Sequence, residues 1–278
     1  STVSAYSGNG SGTVGDPYVI NTCNQLFEMN NNLSAHYVLA GYVDCTGATW
    51  GHIGTLTSSG FSGTFDGQGY TIQNLTVDDT NGVGLFTYVN GGTITNLVLD
   101  SFDVTGTGTV GALAAQADNA TISSVRVTNS LVHSEFATGG LVGILNGSTV
   151  SDVSVYNSQT LGRVSGGFAQ TIGGLVGLSE SNTYNRSSVT GTVDKVINSG
   201  TILNIGGFIG SSTGDIVNDS YSTANVIGVT NVGGFVGVNA SSGFSRSYAS
   251  GSVTGSQQVG GFSGSSALSM LTDSFAIG

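Results

Sequence analysis

The chain has 278 residues, of which 38% are hydrophobic and only 8% are charged, and it contains 46 Gly and one Pro. Plentiful Val, Ile, Leu, Tyr and Phe exclude a disordered chain, and the single Pro excludes collagen. Five Lys plus Arg against sixteen Asp plus Glu give a formal charge of −11, which leaves no basic patch for nucleic acid. The sequence has no run of about 18 apolar residues that could span a membrane, so the apolar side chains face an internal core.

Residues 1–14 form a Ser- and Gly-rich arm in which Val3, Ala5 and Tyr6 nearly alternate. We expect this arm to be flexible or to donate a strand. The chain starts at Ser1 with neither an initiator Met nor a charged and apolar leader. We interpret it as the mature form of an exported chain whose signal has been removed.

Residues 15–62 are predicted to form an N-terminal cap and the first coil of the fold. Residues 23–31 contain the one segment that indicates a helix, and a strand-like run follows at 36–40. A short helix over the first coil would cover its open edge. Cys23 and Cys45 are the only cysteines, and they form either a disulfide or two buried thiols. A disulfide would pin the cap and indicate an oxidising, extracytoplasmic compartment.

Residues 63–278 carry an internal repeat built on a Gly-Leu/Phe-X-Gly motif. Copies begin 27 to 34 residues apart at Gly84, Gly111, Gly140, Gly174, Gly207, Gly234 and Gly261, and the five clear copies end at Gly143, Gly177, Gly210, Gly237 and Gly264. Each motif is followed by short segments that alternate apolar and polar residues. Three short strands per repeat predict one coil of a solenoid, with the glycines at its corners. The predicted fold is all-β: a single right-handed parallel β-helix with a short N-terminal helical cap.

Aromatic residues recur in the later repeats. Tyr221, Tyr248 and Phe275 occupy equivalent positions 27 residues apart, and Tyr156 and Tyr184 belong to the same column or to one near it. The favoured interpretation is an aromatic ladder inside the solenoid. The alternative is an external stripe that stacks on sugar rings.

Residues that could support catalysis or bind a metal are few. The carboxylates considered are Asp66, Asp78, Asp79, Asp100 and Asp103, and the histidines are His36, His52 and His133. Turn and surface roles are favoured, because neighbouring strand residues point to opposite faces and the histidines lack metal-ligand spacing. The sequence therefore predicts no catalytic residue, no metal site and no cofactor.

Eight Asn-X-Ser/Thr sequons are present. They begin at Asn9, Asn32, Asn74, Asn119, Asn146, Asn185, Asn218 and Asn239. A chain rich in Asn, Ser and Thr produces many such triplets by chance. Glycans on some of them would keep a weakly charged exported rod soluble.

The repeat resembles the GLUG-repeat family of exported bacterial and archaeal surface proteins. The resemblance rests on Gly-Gly-Leu-Val-Gly at 173–177, on the segment 245–253, and on lead-in segments at 15–20 and 63–72. It covers nearly the whole chain from about Gly15. It implies a parallel β-solenoid that serves as a scaffold in adhesins, in fibres and in accessory regions of enzymes.

The last repeat stops in the middle of a coil, at Phe275 and Ile277. With Val3, Ala5 and Tyr6, these residues are the predicted contacts of a head-to-tail assembly; the alternative is that the chain is a piece of a longer protein. We expect an extracellular or cell-surface structural or adhesive protein and not an enzyme. A carbohydrate-binding or polysaccharide-degrading β-helix is the alternative. The expected partners are further copies of the chain and glycans, with neither nucleic acid nor a membrane span.

Overall fold

The computed structural model describes residues 6–56, 59–80, 82–162, 170–195 and 203–277, and these residues form a parallel β-helix. Each strand pairs in parallel with its equivalent in the next coil, as Thr121–Thr128 does with Thr93–Asp100 on one side. On its other side the same strand pairs with Thr149–Ser151 and Ser154–Gly162. The predicted fold class is confirmed.

The strands of the described residues form three sheets that run along the rod. The largest has 22 short strands: Tyr18–Ile20, His36–Leu39, Val43–Asp44, Thr64–Asp66, Thr71–Gln73, Thr76–Asp79, Thr93–Asp100, Asp103–Gly106, Thr121–Thr128, Leu131–Ser134, Thr149–Ser151, Ser154–Gly162, Thr183–Asn185, Ser188–Lys195, Ile216–Asn218, Tyr221–Ser222, Asn225–Ile227, Gly243–Ser245, Tyr248–Ala249, Val253–Thr254, Met270–Thr272 and Phe275–Ala276. A seven-stranded sheet consists of Phe86–Asn90, Ala114–Asp118, Val142–Asn146, Val176–Glu180, Ile209–Thr213, Val236–Ala240 and Ser263–Ala267. A six-stranded sheet consists of Thr109–Gly111, Ala137–Gly139, Gln170–Gly173, Leu203–Gly206, Thr230–Gly233 and Gln257–Gly260.

The core follows from the two-residue period of the strands. In the strands that begin at Thr93, Thr121 and Thr149, the second residue is buried and its neighbours are not. Stacking brings these buried residues into one inner column: Ile94, Ile122, Val150, Tyr184, Val217 and Phe244. A single coil buries little, so the core exists only through the contact of neighbouring coils.

A second inner column comes from the repeat motif itself. Phe208 and Phe235 stack with ring centroids 4.6 Å apart, and Phe262 continues the stack 4.9 Å beyond Phe235. In the preceding copies of the motif Leu141 and Leu175 are the corresponding residues, and both are fully buried. The second residue of each motif therefore fills the centre of the rod.

The motif glycines are required for close backbone approach and not for a left-handed conformation. A side chain at Gly140 would collide with the carbonyl oxygen of Gly174, one coil away. Gly177 lies inside the strand Val176–Glu180, where a side chain would approach backbone atoms of Thr138. The prediction that all motif glycines lie at corners is therefore wrong for the second glycine. Left-handed corners exist, but Asn, Asp, Ser and Arg residues occupy many of them.

The N-terminal segment covers one end of the rod. A helix, Cys23–Phe27, continues as a 3₁₀ turn over Glu28–Asn31, and the side chain of Thr22 caps it by accepting from the Gln25 N–H. The buried side chains of this segment, Leu26 and Met29, belong to the same continuous core as the first coils. Cys23 and Cys45 form a disulfide, as one of the two interpretations predicted. In the described part of the chain, no helix has the length and apolar character needed to cross a bilayer.

Candidate functional site

An aromatic column runs along the outside of the last three coils. The rings of Tyr221 and Tyr248 stack with centroids 5.1 Å apart and planes 5° apart, and Phe275 stacks 5.5 Å beyond Tyr248. Ser222 and Ala249, the next residues along these strands, are the buried ones, so the aromatic rings point outward. The favoured interpretation, a ladder inside the solenoid, is therefore wrong.

The two other tyrosines of the aromatic set are separated by the fold. Tyr184 is fully buried in the inner column, and its hydroxyl lies 2.6 Å from the Ser179 hydroxyl. Burial raises the pKa of Tyr184 well above its usual value. Tyr156 lies on the outer surface, in the column next to Tyr221, and is 58% exposed.

A cavity opens where the outer aromatic column ends. The strand register places Arg126, Ser154, Ser188 and Tyr221 in one outward column. Because Ser154 and Ser188 are small, a cavity of about 260 Å³ is left between Arg126 and the ring of Tyr221. We call this cavity the Tyr221 slot; it is lined by Arg126, Ser154, Val155, Tyr156, Ser188, Thr190 and Tyr221.

The length of the slot follows from the spacing of parallel strands. Arg126 and Tyr221 lie three strand steps apart, which corresponds to about 14 Å along the rod. Tyr248 covers one face of the Tyr221 ring. The other face of the Tyr221 ring points along the column toward Ser188, and no aromatic ring continues the stack at that position.

Arg126 is the positive charge of the slot and is exposed. Two other arginines of the described chain are neutralised by carboxylates: Arg186 lies 2.7 Å from Asp152, and Arg246 lies 2.6 Å from Asp219. Within the residues that the structure describes, Arg126 makes no ion pair with a carboxylate. The slot therefore combines an open aromatic face with an available cation.

The carboxylates considered for catalysis do not form one site. Asp66 accepts a hydrogen bond of 2.6 Å from the Gln68 side chain at a turn. Asp100 accepts hydrogen bonds from the Thr128 hydroxyl at 2.6 Å and from the Asn129 amide at 2.8 Å. These contacts hold neighbouring chain segments together.

Asp78 and Asp79 line a different cleft of about 220 Å³, together with His133 and Glu135. Nε2 of His52 lies 3.0 Å from Oδ2 of Asp79. His36 is separate from this cleft and contacts the Thr64 hydroxyl at 2.6 Å. No three His, Cys, Asp or Glu side chains of the described ranges are placed to hold a metal ion together.

A buried polar column supports the corner of the later coils. Asp215 is 1% exposed, and its carboxylate accepts from the Asn182 N–H at 2.8 Å and from the Ser212 hydroxyl at 2.5 Å. The Asp215 N–H in turn donates to the Ser242 hydroxyl at 3.0 Å. Burial raises the pKa of Asp215, and the hydrogen bonds oppose that shift only in part. The column pairs backbone groups that would otherwise be buried without partners.

The sequons differ in accessibility. The side chain of Asn239 is 2% exposed and accepts a hydrogen bond from the Ser242 N–H at 3.1 Å. The folded chain therefore does not present Asn239 for glycosylation, which corrects that assignment. The other seven acceptor asparagines are half-buried or exposed.

Among the predicted subunit contacts, Tyr6 lies in the N-terminal cap, and Phe275 and Ile277 lie in the last described coil. Val3 and Ala5 fall outside the described residues. Tyr6 packs inside its own cap: its ring centroid is 4.4 Å from that of Tyr18, and its hydroxyl donates to the Val19 carbonyl at 3.0 Å. The assignment of Tyr6 to a neighbouring subunit is corrected, because that contact would disrupt the packing of its own cap.

Sequence reasoning missed the Tyr221 slot, although its signal was available. Followed backward from Tyr221, the same column continues to Ser188, Ser154 and Arg126 at intervals of 33, 34 and 28 residues, which follow the longer spacing of the repeat in that part of the chain. A change from aromatic to small residues along one column marks the point where a cavity opens.

The chain is similar in sequence to parts of known proteins. A family model described as the M26 IgA1-specific metallo-endopeptidase N-terminal region matches residues 21–129. The chain is 36% identical over 155 residues to a halomucin of Haloquadratum walsbyi, and 32% identical over 212 residues to an immunoglobulin A1 protease of Streptococcus sanguinis. These matches cover 51% and 71% of the chain but only 2% and 11% of the two relatives. The chain thus spans a small part of each relative's length.

Solved structures share the fold. A crystal structure from Bacteroides ovatus, described as a candidate immunoglobulin A1 protease, matches 90% of this chain and 86% of its own with a TM-score of 0.66. A structure of an IgA1 protease matches 92% of this chain and 20% of its own with a TM-score of 0.60. Both are 19% identical in sequence, so they support the fold.

These comparisons correct two expectations. The β-helix relationship is supported, but the matching family model is that of the protease N-terminal region and not the GLUG repeat. The expectation that the chain is not an enzyme is contradicted, because the matching family model is that of a metallo-endopeptidase region and one of the two relatives is named an immunoglobulin A1 protease. Together with the disulfide, the comparisons support an extracellular β-helix protein that is similar to parts of a halomucin and of an immunoglobulin A1 protease.

Proposed function

We propose that the chain serves as a β-helix region of an extracellular IgA1-protease-like protein, in which it holds the immunoglobulin. The observation that carries this proposal is the match of the protease N-terminal region to residues 21–129, the cap and first coils of the rod. These coils continue into the later ones by parallel strand pairing, with a register shift between Val155 and Ser158, so that surfaces along the side of the rod keep the spacing of the strands. A rigid rod suits a long partner because little conformational entropy is lost on binding.

Binding to immunoglobulin A1 tests the proposal. The chain would be immobilised and exposed to immunoglobulin A1, with immunoglobulin G as the matched control, and binding would be followed by biolayer interferometry. We expect reversible, saturable binding of immunoglobulin A1 only. Absence of that preference in a chain with a cooperative unfolding transition would overturn the proposal. Gel electrophoresis of the same incubation shows whether the immunoglobulin is cleaved. Cleavage would assign the hydrolytic step to this chain as well.

A further inference from the structure

We propose that the Tyr221 slot binds a pyranose ring that carries a carboxylate, such as a hexuronate residue of a glycan. The inference is independent of immunoglobulin binding, because it rests on the geometry of one outward column. It adds a defined cavity and a ligand class to the external aromatic stripe of Tyr221, Tyr248 and Phe275.

Tyr221 supplies the surface on which the sugar ring would stack. Tyr248 covers the far face of the Tyr221 ring at a centroid distance of 5.1 Å, while the near face opens into the slot. A ligand ring above Ser188 would continue the Tyr221–Tyr248–Phe275 stack by one step of about 4.8 Å. The C–H face of a pyranose is apolar and can pack on an aromatic ring. Tyr221 therefore supplies a preformed platform that needs no rearrangement.

Arg126 supplies the positive charge that would bind the carboxylate of the sugar. Arg126 lies at the other end of the slot, two strand steps from Ser188, within reach of a group attached to a ring bound there. Its guanidinium can bind a carboxylate through two parallel hydrogen bonds. Because the chain carries a formal charge of −11, a polyanion would be repelled overall. A single carboxylate at this arginine is the ligand group that the local charge favours.

The floor of the slot distinguishes a sugar from an aromatic peptide side chain. Ser154, Ser188 and Thr190 line it with hydroxyl groups. Ring hydroxyls of a sugar can exchange hydrogen bonds with these groups, whereas an aromatic side chain would cover the hydroxyls of Ser154 and Ser188 without pairing them. The volume, about 260 Å³, is slightly below the range typical of drug-sized ligands and so suits one sugar ring.

The test is a titration by ligand-observed NMR with methyl β-D-glucuronide, with methyl β-D-glucoside as the neutral match. We expect saturable glucuronide binding that is about tenfold tighter than glucoside binding and that weakens as salt is added. Arg126→Gln should remove the preference for the charged sugar. Arg186→Gln, which removes a positive charge outside the slot, should leave that preference unchanged.

Two variants test the aromatic platform. Tyr221→Ala should abolish binding, while Tyr70→Ala, which truncates an exposed tyrosine elsewhere, should not. Ser188→Phe should also abolish binding, because its ring would fill the slot and continue the existing stack. Ser188→Phe adds a contact to the fold instead of removing one. A loss of binding in this variant therefore reports the blocked slot and not a loss of stability.

Several outcomes would overturn the proposal. They are glucuronide binding that does not saturate up to its solubility, equal affinity for the two glycosides, and glucuronide binding that survives Ser188→Phe. Tighter binding of N-acetylphenylalanine than of the glucuronide would also overturn it, in favour of an aromatic acid.

Discussion

Arg246 donates hydrogen bonds from Nε and Nη2 to the two carboxylate oxygens of Asp219, at 2.6 and 2.8 Å, although the residues are 27 positions apart in sequence. Arg186 makes the same contact with Asp152, at 2.8 and 2.7 Å. All four residues have positive φ and occupy the same corner of successive coils, followed by Asp273. Negative and positive side chains therefore alternate from coil to coil along this corner. If the strands paired one coil out of register, side chains of like charge would become neighbours.

Reversing one charge of this corner should weaken the fold. Asp219→Arg would place three arginines on consecutive coils, so we expect a lower midpoint of thermal unfolding that recovers partly with added salt. The control is Asp103→Arg, at an exposed aspartate outside the corner column. Differential scanning fluorimetry at low and high salt measures both. Equal midpoints for the two variants would contradict a role of this corner in stacking.

The inner aromatic column should contribute far more to stability than an exposed side chain. Phe235 is fully buried between Phe208 and Phe262, so Phe235→Ala should lower the free energy of unfolding by about 3–5 kcal/mol. Ile216→Ala, at a 55% exposed position, should change it by less than about 0.5 kcal/mol. Urea unfolding measures both values. A small effect at Phe235 would mean that this column is not the centre of the core.

Asp215 should make stability depend on pH in a defined direction. Its pKa is raised in the folded chain because burial disfavours the charged form. The folded state therefore binds more protons than the unfolded state just above the ordinary aspartate pKa, and its stability falls as pH rises through that window. Asp215→Asn should remove this loss, so its stability relative to the natural chain increases from acid to neutral pH.

Urea unfolding of both chains below and above that pH window measures the effect. Asp103→Asn supplies the baseline for removing an exposed carboxylate. If the stability of Asp215→Asn relative to the natural chain instead decreases as pH rises, the pKa of Asp215 is not raised by folding.

The disulfide should stabilise the cap. Cys23 and Cys45 close a loop with a sequence separation of 22, for which loop entropy predicts about 3 kcal/mol. We expect the Cys23→Ala, Cys45→Ala double variant to unfold at lower temperature and to lose the cap first. Hydrogen exchange resolved along the chain measures this, and unchanged protection over residues 18–45 would contradict it.

The repeat was enough to predict the β-helix, because its period and its alternating strands leave few other ways to bury the apolar residues. The repeat did not determine whether the side chains of Tyr221 and Tyr248 point into the core or toward solvent. The core is thin at this point: a side chain at Gly234 would lie 3.2 Å from the Cβ of Ala249. Only Ser222 and Ala249 fit inward, so the large rings point out.

The candidate site was harder to predict for a different reason. Arg126, Ser188 and Tyr221 share no motif and are far apart in sequence, and each is an ordinary surface residue in its own strand. Their relation appears only when insertions between the repeats are assigned and the coils are aligned. The similarity to immunoglobulin A1 proteases was also hidden, because none of the repeat glycines or core positions carries chemistry.

The most direct test of the Tyr221 slot is a crystal structure of the chain grown with methyl β-D-glucuronide. We predict a sugar ring stacked on the open face of Tyr221, above Ser188, with its carboxylate on the guanidinium of Arg126. A sugar bound elsewhere, an empty slot at saturating sugar, or rings of Tyr221 and Tyr248 that turn into the core would contradict this prediction.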